Sequence, residues 1–180
     1  NISSIPPFKN YTTLTINFLI HRNNMEYLDI YDEKGNSLGI KKPRKEAHDK
    51  GLWHKAVHVW IVNSRKELLI QKRSPLKENY PNMWDISVGG HISAGDDDLI
   101  TTEREIKEEL GLKIKSIDLI KIGTVRRMTK QEGYINNEIL SIYIIKKDIK
   151  LEQIKKQDEE VSEVKLIPYK ELQEIIESED

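Results

Sequence analysis

The sequence predicts one α/β domain with a mixed sheet between helices. Three observations lead there: short apolar runs rich in β-branched residues, a single amphipathic stretch closed by a glycine, and a length of 180 residues. That length is about one domain at roughly 150 residues each. Residues 25–180 carry this patterning and are read as the domain.

The elements follow in order along the chain. Residues 1–24 are rich in Asn, Thr and Ile, carry Pro6-Pro7 and lack acidic residues, so they read as either an appended leader or a genuine N-terminal strand. Residues 27–31 and 37–40 flank a turn containing Gly35 and read as two short strands. Residues 41–50 are charged and hold Pro43, which predicts a loop. Residues 56–62 form a buried or half-buried strand, 63–66 turn the chain, and 67–73 return as its hairpin partner. Residues 74–82, with Pro75 and Pro81, make a long loop of the kind that often carries function. A helix is expected over 98–110, ended by Gly111 in the C′ position. Strands are expected at 114–125, 139–147 and 161–167, with a loop over 126–137. Pro168 opens a terminal helix that ends near Glu177.

Composition removes several classes of function. The absence of cysteine excludes a disulfide framework, a cysteine-based zinc site and thiol catalysis. Lys+Arg 29 against Asp+Glu 30 gives a net charge of −1, with no global basic field for a nucleic acid polymer. Mean hydropathy is −0.61, and no apolar run approaches the roughly 18 residues needed to cross a bilayer. The stretch 14–20 is broken by Thr15 and Asn17 and makes a poor signal peptide. A cytoplasmic protein without a membrane partner is the expectation, and its oligomeric state is not readable.

The chemistry concentrates on the predicted helix. At about 100° per residue, Glu105, Glu108 and Glu109 share one face, apart from the apolar stripe of Leu99, Ile106 and Leu110. Three neighbouring carboxylates repel, and Glu108 and Glu109 also sit in the last turn, where the helix dipole disfavours them. A hard divalent cation offsets both penalties, and Mg²⁺ suits a site of a few carboxylates with room for phosphate oxygens. Arg104, four residues before Glu108, is placed to hold a carboxylate. The competing reading is a solvated Lys/Glu-rich helix face.

Residues 90–112 resemble the Nudix box, Gly-x5-Glu-x7-Arg-Glu-apolar-x-Glu-Glu-x-Gly-apolar. Gly90, Arg104, Glu105, Ile106, Glu108, Glu109, Gly111 and Leu112 match in register, while Asp96 stands where the family usually has Glu. Trp84-Asp85-Ile86-Ser87, residues 68–73 and the Glu-Val-Ser-Glu-Val segment are also similar to family members. The resemblance implies a Nudix α/β/α sandwich that hydrolyses a nucleoside diphosphate linked to another group, with Mg²⁺ or Mn²⁺. By position, Glu105, Glu108 and Glu109 supply metal ligation or the water-activating base, the Gly89 carbonyl a further ligand, and Arg104 an orienting contact. Arg73, Gly90 and His91 are the expected contacts to a small-molecule diphosphate substrate. Asp96, one methylene shorter, implies a weaker auxiliary contact.

Outside the box the chain also resembles type I isopentenyl diphosphate isomerases. His48 (with a one-residue slip), His54 and His91 fall where that subgroup places three metal-binding histidines, and Glu138 matches one of its glutamates. Its catalytic cysteine, however, falls at Gly89 and its other essential glutamate at Asn136. Moving a double bond needs an acid and a base at carbon, so hydrolysis is favoured over isomerisation, and the intact set of three repelling acids speaks against a non-catalytic nucleotide-binding module. Taken singly, His54 and His58 read as strand histidines. His91 and Glu138 stand between surface residue and ligand. Trp84 reads as core, and Tyr80 is open. Residues 74–82 and 126–137 are expected to set specificity, with 130–134 closing over the ligand.

Overall fold

The computed structural model describes residues 25–131 and 134–178. The leader-or-strand expectation for residues 1–24 therefore lies outside the described residues, as does the tip of the 130–134 segment.

Alternation of buried and exposed positions starts the fold. In β1 (Tyr27–Tyr31), Leu28 and Ile30 turn inward, and β1 pairs antiparallel with β2 (Ser37–Pro43) around Gly35, whose φ is 89°. Asp32 accepts from the Asn36 backbone and side-chain amides, both at 2.8 Å, and ties the turn. Residues 41–50 are not a loop. They finish β2 and form a short helix α1 (Arg44–Asp49) directly after Pro43. Proline pre-sets the entry to a helix, and i,i+4 pairs Lys42–Glu46, Lys45–Asp49 and Glu46–Lys50 brace it. Leu28, Ile30 and Ala47 close into a small core with Leu52.

The main sheet has seven strands. At its centre lies β3 (His54–Val62), parallel to β8 (Tyr134–Lys146) along one edge. Along its other edge β3 pairs with two strands in turn. Ile61 and Val62 face β4 (Glu67–Arg73), and residues 56–59 face β6 (Val88–His91). The buried Ser87 hydroxyl bridges this split, accepting from Ile61 N at 2.8 Å and donating to Leu69 O. β5 (Trp84–Asp85) and β9 (Val161–Pro168) pair with β4, and β7 (Ile120–Gln131) closes the far edge on β8.

Three further expectations change. The strand expected at 114–125 starts later, at Ile120, after a 3₁₀ turn at Ser116–Asp118. Residues 126–131 and 134–137 lie in β7 and β8 in place of the expected loop: residues 120–128 of β7 are all exposed, so the strand rests largely on its backbone ladder to β8 and shows no sustained apolar alternation. Trp84 is 38% exposed, with Lys165 Nζ 4.3 Å from its ring centre, so it is not a core residue.

Helix α2 (Asp98–Leu110) occupies the predicted span because both ends are capped. The Asp97 side chain accepts from Ile100 N at 2.8 Å, and Gly111 takes φ 66° as the left-handed terminator. Ile106 and Leu110 bury against Val57, Val59, Leu69 and Val88 to make the main core. Asp98 joins Lys121, Ser141 and Tyr143, which moors the first turn of α2 to β7 and β8. The terminal helix α3 (Tyr169–Ser178) begins one residue after Pro168 and buries none of its residues. Among the described residues no helix is long and apolar enough to cross a membrane.

A Cβ on Gly111 would lie 2.7 Å from Lys155 Cβ and 2.8 Å from Lys155 O, in addition to the left-handed backbone penalty. Gly111→Ala is therefore expected to lower stability by about 2 kcal/mol or more, read as a lower urea midpoint at unchanged m-value.

Candidate active site

Turning α2 so that Ile106 and Leu110 face the core carries the three glutamates to a graded boundary. The Glu109 residue is 6% exposed, whereas the Glu105 and Glu108 side chains are 14% and 52% exposed. Arg104 Nη1 links Glu105 Oε1 at 2.8 Å to Glu108 Oε2 at 3.3 Å, and Gln71 Nε2 donates to Glu109 Oε2 at 2.9 Å. Burial pushes the Glu105 carboxyl up to about 7, against the pull of Arg104. Burial likewise pushes Glu109 up to about 8, with Gln71 opposing and the Glu105 charge adding to the rise. Glu105 and Glu109 are thus acids held largely out of water with less positive charge than they need, while Glu108 faces solvent.

Gly90 is what allows Glu105 to sit there. A Cβ on Gly90 would stand 2.6 Å from Glu105 Cγ and Oε1, and closer still to Cδ. Gly89, beside it on β6, is paired with His58. Asp96 is exposed, within electrostatic reach of Arg104.

A second cluster forms through strand register. The β3–β8 pairing sets His54 beside Glu138, and the β3–β6 pairing sets His91 opposite Ala56. His48 reaches the same point from α1, whose end is tied down by Asn137 Nδ2 donating to Gly51 O at 2.8 Å. The three imidazole centroids make a near-equilateral triangle with sides of 5.0, 5.1 and 5.0 Å. One ring nitrogen from each lies within 4.8 Å of the others, and each Nε2 is buried without a hydrogen-bond partner. His54 Nδ1 lies 2.9 Å from Leu52 O. As the donor there, it leaves Nε2 as a lone-pair ligand. Burial, with the neighbouring imidazoles adding, pushes His48 down to about 3 and His54 to about 4, so both are neutral at pH 7.

Glu138 belongs to this second cluster and not to the glutamates of α2. Its Oε1 is 3.5 Å from His91 Nε2, and its Oε2 accepts from Arg127 Nη2 at 2.6 Å. Burial alone would raise Glu138, but His91 and Arg127 together hold it well below the usual carboxylate range. Asn136 Oδ1 is buried without a partner, and the Tyr134 ring lies 4.8 Å from that of His48.

Glu105, Glu108 and Glu109 of α2 border one cleft of about 1250 Å³, and the second cluster reaches it through His91 and Glu138. Lys41, Arg44, Lys77 and Arg127 add positive charge to its walls, and Tyr80 and Trp84 add aromatic surface. Arg73 also borders it, with its guanidinium engaged: Nη2 and Nε donate to Asn79 O at 2.9 and 3.2 Å, and Nη1 donates to Asp85 at 3.1 Å. It braces a loop in which Tyr80 and Asn82 take φ of 52° and 62°. Sequence reasoning missed Gln71 and the Arg127 partner of Glu138. The alternation Leu69, Gln71, Arg73 along one face of β4 was the available sign of a buried amide.

Residues 52–180 match the family described as NUDIX domain. The chain is 42% identical over 160 residues to Nudix hydrolase 3 of Arabidopsis thaliana, covering 86% of this chain and 21% of that protein. It is 30% identical over 118 residues to an isopentenyl-diphosphate Delta-isomerase of Citrobacter koseri, covering 66% of this chain and 65% of the isomerase. The chain thus spans about a fifth of the first relative and under two thirds of the second. In fold it is similar to the crystal structure of DR0079 from Deinococcus radiodurans, with a TM-score of 0.64 at 22% identity, covering 85% of this chain and 90% of that one.

Proposed function

The chain belongs to the Nudix family, and from that premise we propose that it hydrolyses the diphosphate bond of a nucleoside diphosphate linked to another group. The observation that carries this reading is the pair on the cleft wall, Glu105 largely and Glu109 fully withdrawn from water, with raised carboxyl pKa values. Such an arrangement destabilises a metal-free protein and is relieved by a bound cation.

Glu105, Glu108 and Glu109 would hold Mg²⁺ or Mn²⁺, with the Gly89 carbonyl as a further oxygen ligand. The ion supplies charge neutralisation at the pyrophosphate and lowers the pKa of the attacking water. Arg104 keeps Glu105 and Glu108 splayed at a fixed separation, and Gly90 leaves the space Glu105 occupies. A glutamate of the cluster takes the proton of the attacking water. The water oxygen bonds to phosphorus as the bridging P–O bond breaks, and both products leave as phosphate monoesters. His91, Gly90 and the basic residues of the cleft would meet the diphosphate, and Arg73 would act on the substrate through the loop it braces.

The histidine cluster favours a second cation and not a second reaction. Three imidazoles converging on one point beside the Glu138 carboxylate, with the Nε2 atoms of His48 and His54 lacking protein partners, suit Mn²⁺, Zn²⁺ or Co²⁺ better than Mg²⁺. Gly89 and Asn136 offer neither the acid nor the base that proton transfer at carbon requires. Co²⁺ added to the protein is expected to give visible d–d absorption that His54→Ala removes and Glu109→Gln retains.

A panel of dinucleotides, nucleotide sugars, nucleoside triphosphates and prenyl diphosphates tests the activity. Metal-dependent release of two phosphorylated products supports it. Tight nucleotide binding without turnover, or an isomerised prenyl product without phosphate release, refutes it.

A further inference from the structure

The alternation along β4 takes the chain from core to cleft in three steps on one face. Leu69 packs in the main core, Gln71 lies 5% exposed beneath α2, and Arg73 reaches the loop at the cleft. The middle position is the unexpected one. A buried amide is costly unless both of its ends are hydrogen-bonded, yet only one end of Gln71 is. Nε2 donates to Glu109 Oε2 at 2.9 Å, while Oε1 is buried with no partner. An unbranched apolar side chain would fill the same space without that cost, so packing does not account for the amide.

What the amide does is select one of the two Glu109 oxygens. Glu109 sits in the last turn of α2 and borders the cleft, and its backbone carbonyl also accepts from Gln157 N at 3.1 Å. With the main chain held there and Oε2 taken by Gln71, one orientation of the carboxylate remains, and Oε1 is the free oxygen. We infer that Gln71 is a positioning residue for the glutamate cluster: it engages Glu109 Oε2 and so reserves Oε1 for the divalent cation. This rests on the metal reading of Glu109 given above. β4 is braced by β3, β5 and β9, so the amide is anchored in the sheet and not on α2 itself.

Mn²⁺ titration of the full chain, followed by the electron paramagnetic resonance signal of the free ion, separates the possibilities. The component lost in Glu109→Gln defines the glutamate site. Gln71→Met keeps the unbranched shape and removes the donor, and is expected to weaken that component by about 10–100-fold without lowering thermal stability. In the Glu109→Gln background, adding Gln71→Met is expected to leave the remaining Mn²⁺ binding and the melting temperature unchanged, an outcome that general loosening of the fold would not give. Gln71→Asn keeps a donor one methylene too short and is expected to weaken the same component, which serves if the Met variant does not fold. Gln71→Met binding Mn²⁺ like the wild type overturns the inference alone. Wild type and Glu109→Gln binding Mn²⁺ identically overturns the metal reading itself.

Discussion

Glu109→Gln is expected to lower kcat/KM by at least about 10³-fold while making the metal-free protein more stable above neutral pH. The loss follows from removing a charged oxygen from the proposed cation site, and the gain from the burial of the same group. The folded-state pKa of Glu109, about 8, lies above its ordinary value of 4.5. An acid raised in the folded state destabilises that state wherever the unfolded chain would ionise. The penalty is therefore absent below about pH 4.5, grows as pH rises from there to about 8, and is fully present above. Glu105, raised to about 7, adds a penalty of the same sign over a narrower window. Thermal melts in a chelator from pH 4 to 9 read this directly. Wild type and Glu109→Gln converge at the acid end and separate toward the alkaline end, with the variant higher. Excess Mg²⁺ raises the wild-type melting temperature and leaves the variant nearly unmoved. A more active enzyme being the less stable one without its ion is the signature that distinguishes a functional acid cluster from a decorative one.

Gly90→Ala is expected to separate activity from folding in the opposite way. The added methyl group would fall within 2.6 Å of Glu105 Cγ and Oε1, and the atoms it meets belong to a side chain able to rotate aside. The sheet therefore tolerates the change at about 1–3 kcal/mol, whereas Glu105 is forced off the position that Arg104 helps define. Displacing a ligand by about 1 Å costs on the order of 10²-fold in rate. The expected result is a folded protein with near-native circular dichroism, kcat/KM down by about 10²–10³-fold, and weaker activation by Mg²⁺. Full activity in this variant would show that Glu105 is not held where the chemistry needs it.

The parts of the fold legible in sequence were those fixed by local chemistry. Asp97, Gly111 and the Ile106–Leu110 stripe specify α2 without help from the rest of the chain. The carboxylate cluster was equally legible, because helical periodicity places residues 105, 108 and 109 together. Residues 41–50 misled because Pro43 marks either a loop or a helix entry, and tertiary packing of Ala47 against Leu28 and Ile30 decides between them. Residues 126–130 misled because largely exposed polar residues in a strand lack the alternation that announces one. The histidine cluster draws on residues 48, 54, 91 and 138, joined by two strand registers and a short helix. No local pattern contains such a distance, and only the family resemblance brought these residues together in advance. Gln71 was hidden for the same reason, since its partner is 38 positions away.

The strand Gly89-Gly90-His91 carries a consequence for how such a protein can change. Its neighbouring residues look in opposite directions: position 90 yields to the acids of α2, and position 91 completes the imidazole triangle. One thickness of bare main chain is all that partitions the two centres there. A slip of a single step against β3 would swap the two outlooks, ruining both centres together. Divergence in what the protein accepts is therefore free to proceed in the surrounding loops, while this partition behaves as a common axle on which neither wheel can be shifted alone.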